Sequence, residues 1–163
     1  MPVRITAKHR YAQGTQAVLA TFTDAGEIKA KQKALGARKT RVRECKRTSQ
    51  GMRVRFVREL PAAVPGVLKR FIQPWNSVEQ SETWREIGDD GFAADLAINI
   101  ANVPVDVSGT LQLKPTGDGC VNVVRIDVSS AIPFLGKTLA QFVAADCKRL
   151  VAKEYDYIKQ HLA

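Results

Sequence analysis

The stretch GKTLAQFVAADCKRLVAKEYDYIKQHL, Gly136 to Leu162, decides how the rest of the chain reads. It has no Gly or Pro after its first residue. Leu139, Phe142, Val143, Leu150, Val151, Ile158 and Leu162 fall on one side at helical spacing, and Lys137, Gln141, Lys148 and Lys159 on the other. This predicts one amphipathic helix of roughly 40 Å. The region before it, from about Ala37 to Ser130, reads as a succession of strands. A long helix following a meander predicts a curved sheet closed over that helix, with a hydrophobic space between them.

Working outward, the strands are marked by alternation and by turn clusters. Ser77 to Ile87 contains Trp84. Phe92, Ala94, Leu96, Ile98 and Ile100 share one face of a strand running to Asn102. Val105, Val107, Gly109, Leu111 and Leu113 do the same in the next, and Asn122, Val124, Ile126 and Val128 in the last. Breakers fall at Gly88 to Gly91, Asn102 to Pro104 and Pro115 to Gly119. Connections this short require antiparallel neighbours. Arg38 to Thr48 and Met52 to Leu60 form an earlier hairpin about Ser49-Gln50-Gly51, with Val54 and Phe56 facing opposite to Arg53 and Arg55. Pro61, Pro65, Gly66 and Pro74 prevent regular structure throughout the segment that follows, though Val67 to Ile72 suits a helical turn or two.

At the N-terminus, Val3, Ile5, Ala7, His9 and Tyr11 alternate with Arg4, Thr6, Lys8 and Arg10, which predicts a half-buried strand. Thr15 is the expected N-cap of a short helix through Phe22. Asp24 caps a second helix, Ala25 to Leu35, ending at Gly36. The expected order is strand, two short helices, six strands, long helix. The fold class is α+β, a seven-stranded antiparallel sheet with one apolar face for the helix to cover.

The composition is that of an ordinary globular protein: 163 residues, 45% hydrophobic and 25% charged. One domain over residues 1–163 is expected. No apolar run approaches the ~20 residues that span a bilayer. Met1 to Tyr11 lacks the apolar core of a signal peptide, so a cytoplasmic protein is expected. Cys45, Cys120 and Cys147 form no metal-binding spacing and read as free thiols. A catalytic cysteine is the alternative. It requires a base, and His9 and His161 are the only histidines. No P-loop, dinucleotide fingerprint, nucleophile elbow or H-E-x-x-H occurs, which argues against nucleotide- and zinc-dependent chemistry. No cofactor and no metal is expected.

The order of elements resembles the helix-grip fold of the START-like (SRPBCC) superfamily. Ala17-Val18-Leu19-Ala20-Thr21-Phe22-Thr23-Asp24 is similar to the segment where such proteins begin their two small helices, and Ile132-Pro133-Phe134-Leu135-Gly136-Lys137 to the entry of their C-terminal helix. Val57-Arg58-Glu59-Leu60-Pro61 and Glu82-Thr83-Trp84 resemble a bacterial branch defined as a domain of unknown function. The superfamily includes lipid and sterol carriers, hormone receptors, cyclases and aromatases. The resemblance implies an apolar ligand held between sheet and helix.

Alternation puts Arg58 on the side of Val54 and Phe56, and Glu82 on the side of Trp84. The two charges are expected near each other at one end of the cavity, anchoring the polar head of a mostly apolar ligand. The alternative is an ordinary rim pair in water. Phe56, Trp84, Leu96, Ile98, Val107, Leu111, Val124 and Phe142 are expected in the cavity wall, and His9 and Tyr11 as further polar anchors. No residue is assigned a catalytic role in this reading. An enzyme of cyclase or aromatase type is the alternative, with His9 and Tyr11 as acid and base.

The charge is lopsided within a net +9. Residues 1–70 carry 17 Lys and Arg against 4 Asp and Glu, and residues 71–163 carry 8 against 12. Arg4, Lys8 and Arg10 project outward from the first strand and Arg53 and Arg55 from the third, and if Lys39, Arg41 and Arg43 project outward from the second, the three strands make one basic surface. Such a surface suits an anionic membrane. Nucleic acid is disfavoured, because no aromatic residues interleave with the charges. The plainer expectation is a solvated face with partners such as Glu44 and Glu79. The oligomeric state is left open.

Overall fold

A computed structural model describes residues 2–163. The strands are β1 (Val3–Tyr11), β2 (Arg38–Arg47), β3 (Gly51–Pro61), β4 (Trp75–Ile87), β5 (Gly91–Ile100), β6 (Asp106–Thr116) and β7 (Gly119–Ser129). The helices are α1 (Thr15–Thr23), α2 (Ala25–Ala34) and α3 (Gly136–Leu162). All seven strands form one antiparallel sheet in the order β1-β7-β6-β5-β4-β3-β2. The element order and α+β class are those expected from the sequence, and the arrangement is the helix-grip fold.

Local chemistry explains most boundaries. Asp24 accepts a hydrogen bond from the Glu27 backbone N–H at 3.0 Å and so caps α2. Gly36 takes a positive φ of 92° just after α2, a conformation that glycine adopts without a Cβ penalty. In the β2–β3 turn, Thr48 N–H donates to the Gly51 carbonyl at 2.8 Å while Thr48 Oγ1 accepts from Gly51 N–H at 3.1 Å. Two expectations change. Thr15 is the first residue of α1, preceded by Gly14 at the cap position, and its hydroxyl donates instead to the Asp90 carbonyl at 2.7 Å. It ties α1 to the β4–β5 turn. Between Pro61 and Pro74 the regular structure is one 3-10 turn at Gly66–Leu68, as the prolines dictate.

The expected single basic surface does not form. β1 lies at one edge of the sheet, and β2 with β3 at the other, with β7, β6, β5 and β4 between. Arg4, Lys8 and Arg10 therefore make one exposed patch, and Lys39, Arg41, Arg43, Arg53 and Arg55 belong to a separate region. Several basic residues have local partners: Arg4 with Asp127 at 2.8 Å, Lys46 with Glu44 at 3.2 Å and Arg55 with Glu79 at 3.3 Å. Exposed pairs like these contribute about 0–1 kcal/mol each.

The core fills the concave side of the sheet. Val54, Phe56, Trp84, Ala94, Leu113, Val128, Leu139 and Ile158 are buried there. The position of α3 matters most. It packs against β1 and β7 and against α1 and α2. It stands off from the middle of β3, β4 and β5, and the space left there is the site described next.

Leu139 is fully buried on the sheet-facing side of α3. Leu139→Ala should lower the free energy of unfolding by about 2–5 kcal/mol in urea denaturation. A loss below ~1 kcal/mol would mean that α3 is not clamped to the sheet.

Candidate functional site

Strand alternation brings five polar or aromatic side chains of β3 and β4 to the concave face. Arg58 on β3 pairs in register with Val78 on β4, Phe56 with Gln80, and Val54 with Glu82. Arg58 and Glu82 are thus four residues out of register and form no direct ion pair, with Gln80 as the diagonal neighbour between them. Gln80 bridges them. Arg58 Nη2 donates to Gln80 Oε1 at 2.9 Å, and Gln80 Nε2 donates to Glu82 Oε2 at 2.6 Å. Trp84 Nε1 donates to the other carboxylate oxygen, Glu82 Oε1, at 2.9 Å. Arg58 Nη1 reaches the Val78 carbonyl at 3.4 Å. The guanidinium also lies 4.9 Å from the Phe56 ring centre.

The two charged ends of this network are buried, and Gln80 between them is half-buried. Arg58 is 5% and Glu82 2% exposed, so the pair does not sit at a solvated rim. Burial lowers the Arg58 pKa to about 10, although Glu82 and Glu154 act against it. Burial also raises the Glu82 pKa, opposed by Lys31 and by the hydrogen bonds from Trp84 and Gln80. An ion pair with a buried lysine lies on the helix side. Lys31 of α2 meets Glu154 of α3 at 3.2 Å, with its ammonium 3.7 Å from the Phe22 ring centre.

The cavity beside these groups has two lobes. One lies among Leu60, Ile72, Val78, Ile98, Ile100, Val103, Phe142, Val143 and Leu150. The other lies among Phe22, Leu35, Gln80, Glu82, Leu96, Leu111, Val124, Ile126, Val151 and Glu154. Each holds about 70 Å³. That is several times the ~10–15 Å³ one water needs, and it suits a compact ligand. Arg58, Leu60, Ile98, Cys147 and Leu150 line both lobes and mark their junction. The first lobe continues outward past Pro61, Ala62, Phe142 and Asp146 into an open groove bounded by Ala63, Ala145 and Arg149. This groove lies between the end of β3 and the first half of α3 and shares those four residues with the first lobe.

The residues named from sequence divide into three groups. Arg58, Glu82, Leu96, Ile98, Leu111, Val124 and Phe142 line the lobes. Phe56, Trp84 and Val107 are buried core side chains that line neither lobe, Phe56 and Trp84 acting through their contacts with Arg58 and Glu82. His9 and Tyr11 lie elsewhere. His9 stacks on Tyr155 of α3 with ring centres 4.2 Å apart, and Tyr11 meets the same ring edge-on at 5.3 Å. They clamp α3 to β1, and burial lowers the His9 pKa and raises that of Tyr11.

Four polar residues were not singled out from sequence. Gln80 sits two residues from Glu82, so alternation alone places it on the same face. Cys147 falls four residues from Val143 and from Val151, on the apolar stripe of α3. Its thiol is raised to about 11 by burial. The Lys31–Glu154 pair has no signal in the sequence, because its two members come from helices more than a hundred residues apart.

The architecture is a START-like helix-grip fold with a cavity between sheet and helix. The chain belongs to the family described as "Protein of unknown function (DUF2505)", which it matches over residues 6–162. It is 27% identical over 93 residues, 56% of the chain, to the uncharacterized protein Rv0481c of Mycobacterium tuberculosis; the match covers 53% of that protein, so the chain spans about half the length of the curated relatives it matches. Among solved structures it is similar to the STAR-related lipid transfer protein of Xanthomonas axonopodis, at 14% identity and a TM-score of 0.63, covering 98% of this chain and 85% of that one. It is also similar to norcoclaurine synthase of Thalictrum flavum, at 15% identity and a TM-score of 0.62, covering 99% and 87%. These likenesses establish the fold. No helix among the described residues is long and apolar enough to cross a membrane.

Two predictions follow from this geometry. Gln80→Leu cuts the bridge and leaves Arg58 and Glu82 each short of a partner, so unfolding free energy should drop by about 2–4 kcal/mol in urea. An unchanged stability would show that the bridge is not made. For His9, the unfolded chain takes up a proton near pH 6.5 and the folded chain only at lower pH. Its contribution is therefore present above pH 6.5 and lost as the pH falls through that window. Thermal melts should show a shallower acid-side loss in His9→Gln than in the unaltered protein, and parallel profiles would contradict the assignment.

Proposed function

We propose that this protein binds a small, mostly apolar ligand non-covalently in the two-lobed cavity between the sheet and α3, as a carrier or a sensor. One observation carries the reading: apolar walls from the sheet and α3 converge on a single buried guanidinium at the junction of the lobes. Apolar burial, at roughly 25 cal/mol per Å², supplies the affinity. Arg58 supplies orientation, and Glu82 holds it in place through Gln80. Leu96, Ile98, Leu111, Val124 and Phe142 supply the wall. The lipid-transfer protein with the same fold supports a carrier role. Three free cysteines fit a reducing compartment such as the cytoplasm.

A cyclase- or aromatase-like activity is less well supported. The His9–Tyr11 pair that would act as acid and base lies against Tyr155 and outside both lobes.

Native mass spectrometry of the full chain, purified without denaturant, tests the reading. A small-molecule adduct released by mild collisional activation is expected. Ile98→Trp, which fills the junction with a larger side chain, should abolish it while the far-ultraviolet circular dichroism stays unchanged. An adduct retained in that variant, or none in the unaltered protein even after exposure to fatty acids and aromatic acids, would overturn it.

A further inference from the structure

The guanidinium of Arg58 has an unfinished set of hydrogen bonds. Arginine carries five N–H donors. Arg58 spends two, on Gln80 Oε1 and the Val78 carbonyl, and neither acceptor is a carboxylate. Its Nε has no partner, although it is buried. Another such buried atom, Asn122 Oδ1, belongs to a residue that lines neither lobe, and Glu27 Oε2, also outside both lobes, lies 2.8 Å from His161 Nε2. Arg58 lines both. A buried donor left unsatisfied costs about 1–3 kcal/mol, more when charged.

The neighbouring charges are already committed. Glu82 accepts from Gln80 and Trp84, and Lys31 is paired with Glu154. Asp146 pairs with Arg149 at 2.8 Å, and Asn76 exchanges hydrogen bonds with the Gln73 backbone. The one cation at the junction therefore has open donors and no counter-ion of its own in contact.

Resting on the reading above, we infer that the ligand is a monocarboxylic acid, whose carboxylate docks on Arg58 at the junction while its apolar body fills a lobe. A planar guanidinium matches a planar carboxylate with two parallel hydrogen bonds. The donors Arg58 leaves open suit one carboxylate. A phosphate dianion would require a second cation, and Lys31, the nearby candidate, is held by Glu154. The apolar body points along Ile72, Val103, Phe142 and Val143 toward the open groove, or into the second lobe along Leu96 and Val124.

Isothermal titration with octanoate and 3-phenylpropanoate, against octanamide, 3-phenylpropanamide and octyl phosphate, tests this on the full chain. At least one acid should bind about tenfold or more tightly than its amide, the ratio expected for a charge-assisted hydrogen bond of about 1.5 kcal/mol. Arg58→Met should abolish that ratio yet still bind the amide. Arg58→Lys, which keeps the charge but loses the fork, should keep part of it, and it serves if Arg58→Met does not fold. Equal affinity for acid and amide in the unaltered protein would overturn the carboxylate inference while leaving the cavity reading intact. Tighter binding of octyl phosphate than of octanoate would overturn it in favour of a phosphate head. Failure of every probe to bind, in the unaltered protein as in Ile98→Trp, would defeat both.

Discussion

The structure depends on where one helix is held. α3 is clamped to β1 and β7 through Leu139, Ile158 and the stack of His9, Tyr11 and Tyr155, and to α1 and α2 at its side. An antiparallel sheet of seven strands is wider than the roughly 10 Å diameter of a helix. Fixing the helix over one edge pair leaves the face of β3, β4 and β5 partly uncovered. The small helices and the proline-rich segment after β3 close the sides without filling the middle. A cavity follows from this geometry without any residue being specialised to make it. Gly109 assists the curvature: a Cβ there would collide with the Arg125 carbonyl of the neighbouring strand, so only glycine permits that approach.

Charge inside such a space is costly unless it is matched. The chain meets the cost in an indirect way. Glutamine stands between arginine and glutamate and presents its carbonyl oxygen to one and its amide to the other. The carboxylate is satisfied at both oxygens, and the guanidinium is left with donors to spare. A direct ion pair would have used those donors internally. The spacer separates the structural half of the network, Glu82 with Trp84, from the half that remains open to a ligand.

Much of this was legible in the sequence, because two periodicities carry it. The 3.6-residue stripe of α3 and the two-residue alternation of β4 to β7 fixed element order, facing and antiparallel pairing. The same alternation placed Arg58 and Glu82 inside. Alternation cannot tell which strands end up adjacent, and so the basic residues of β1 and of β2 with β3 fall at opposite edges. It also cannot distinguish a side chain in a cavity wall from one in solid core. Phe56, Trp84 and Val107 share a face with Leu96 and Leu111, yet they line neither lobe. Alternation puts His9 and Tyr11 on the inward face of β1, but only the path of α3 shows that Tyr155 covers them. Lys31 and Glu154 meet through tertiary packing of two helices, a contact that no local pattern encodes. The fold itself does not choose between carriage and catalysis, since a lipid-transfer protein and a synthase both have it.

The account stands on the hollow between α3 and the middle strands. A crystal structure determined under xenon pressure examines that space directly, because xenon enters dry apolar cavities. Xenon should appear between Ile98 and Leu150, beside the Arg58 guanidinium, with α3 unmoved. An interior free of xenon, with Phe142, Leu150 and Val151 packed onto β5 in its place, would contradict the account.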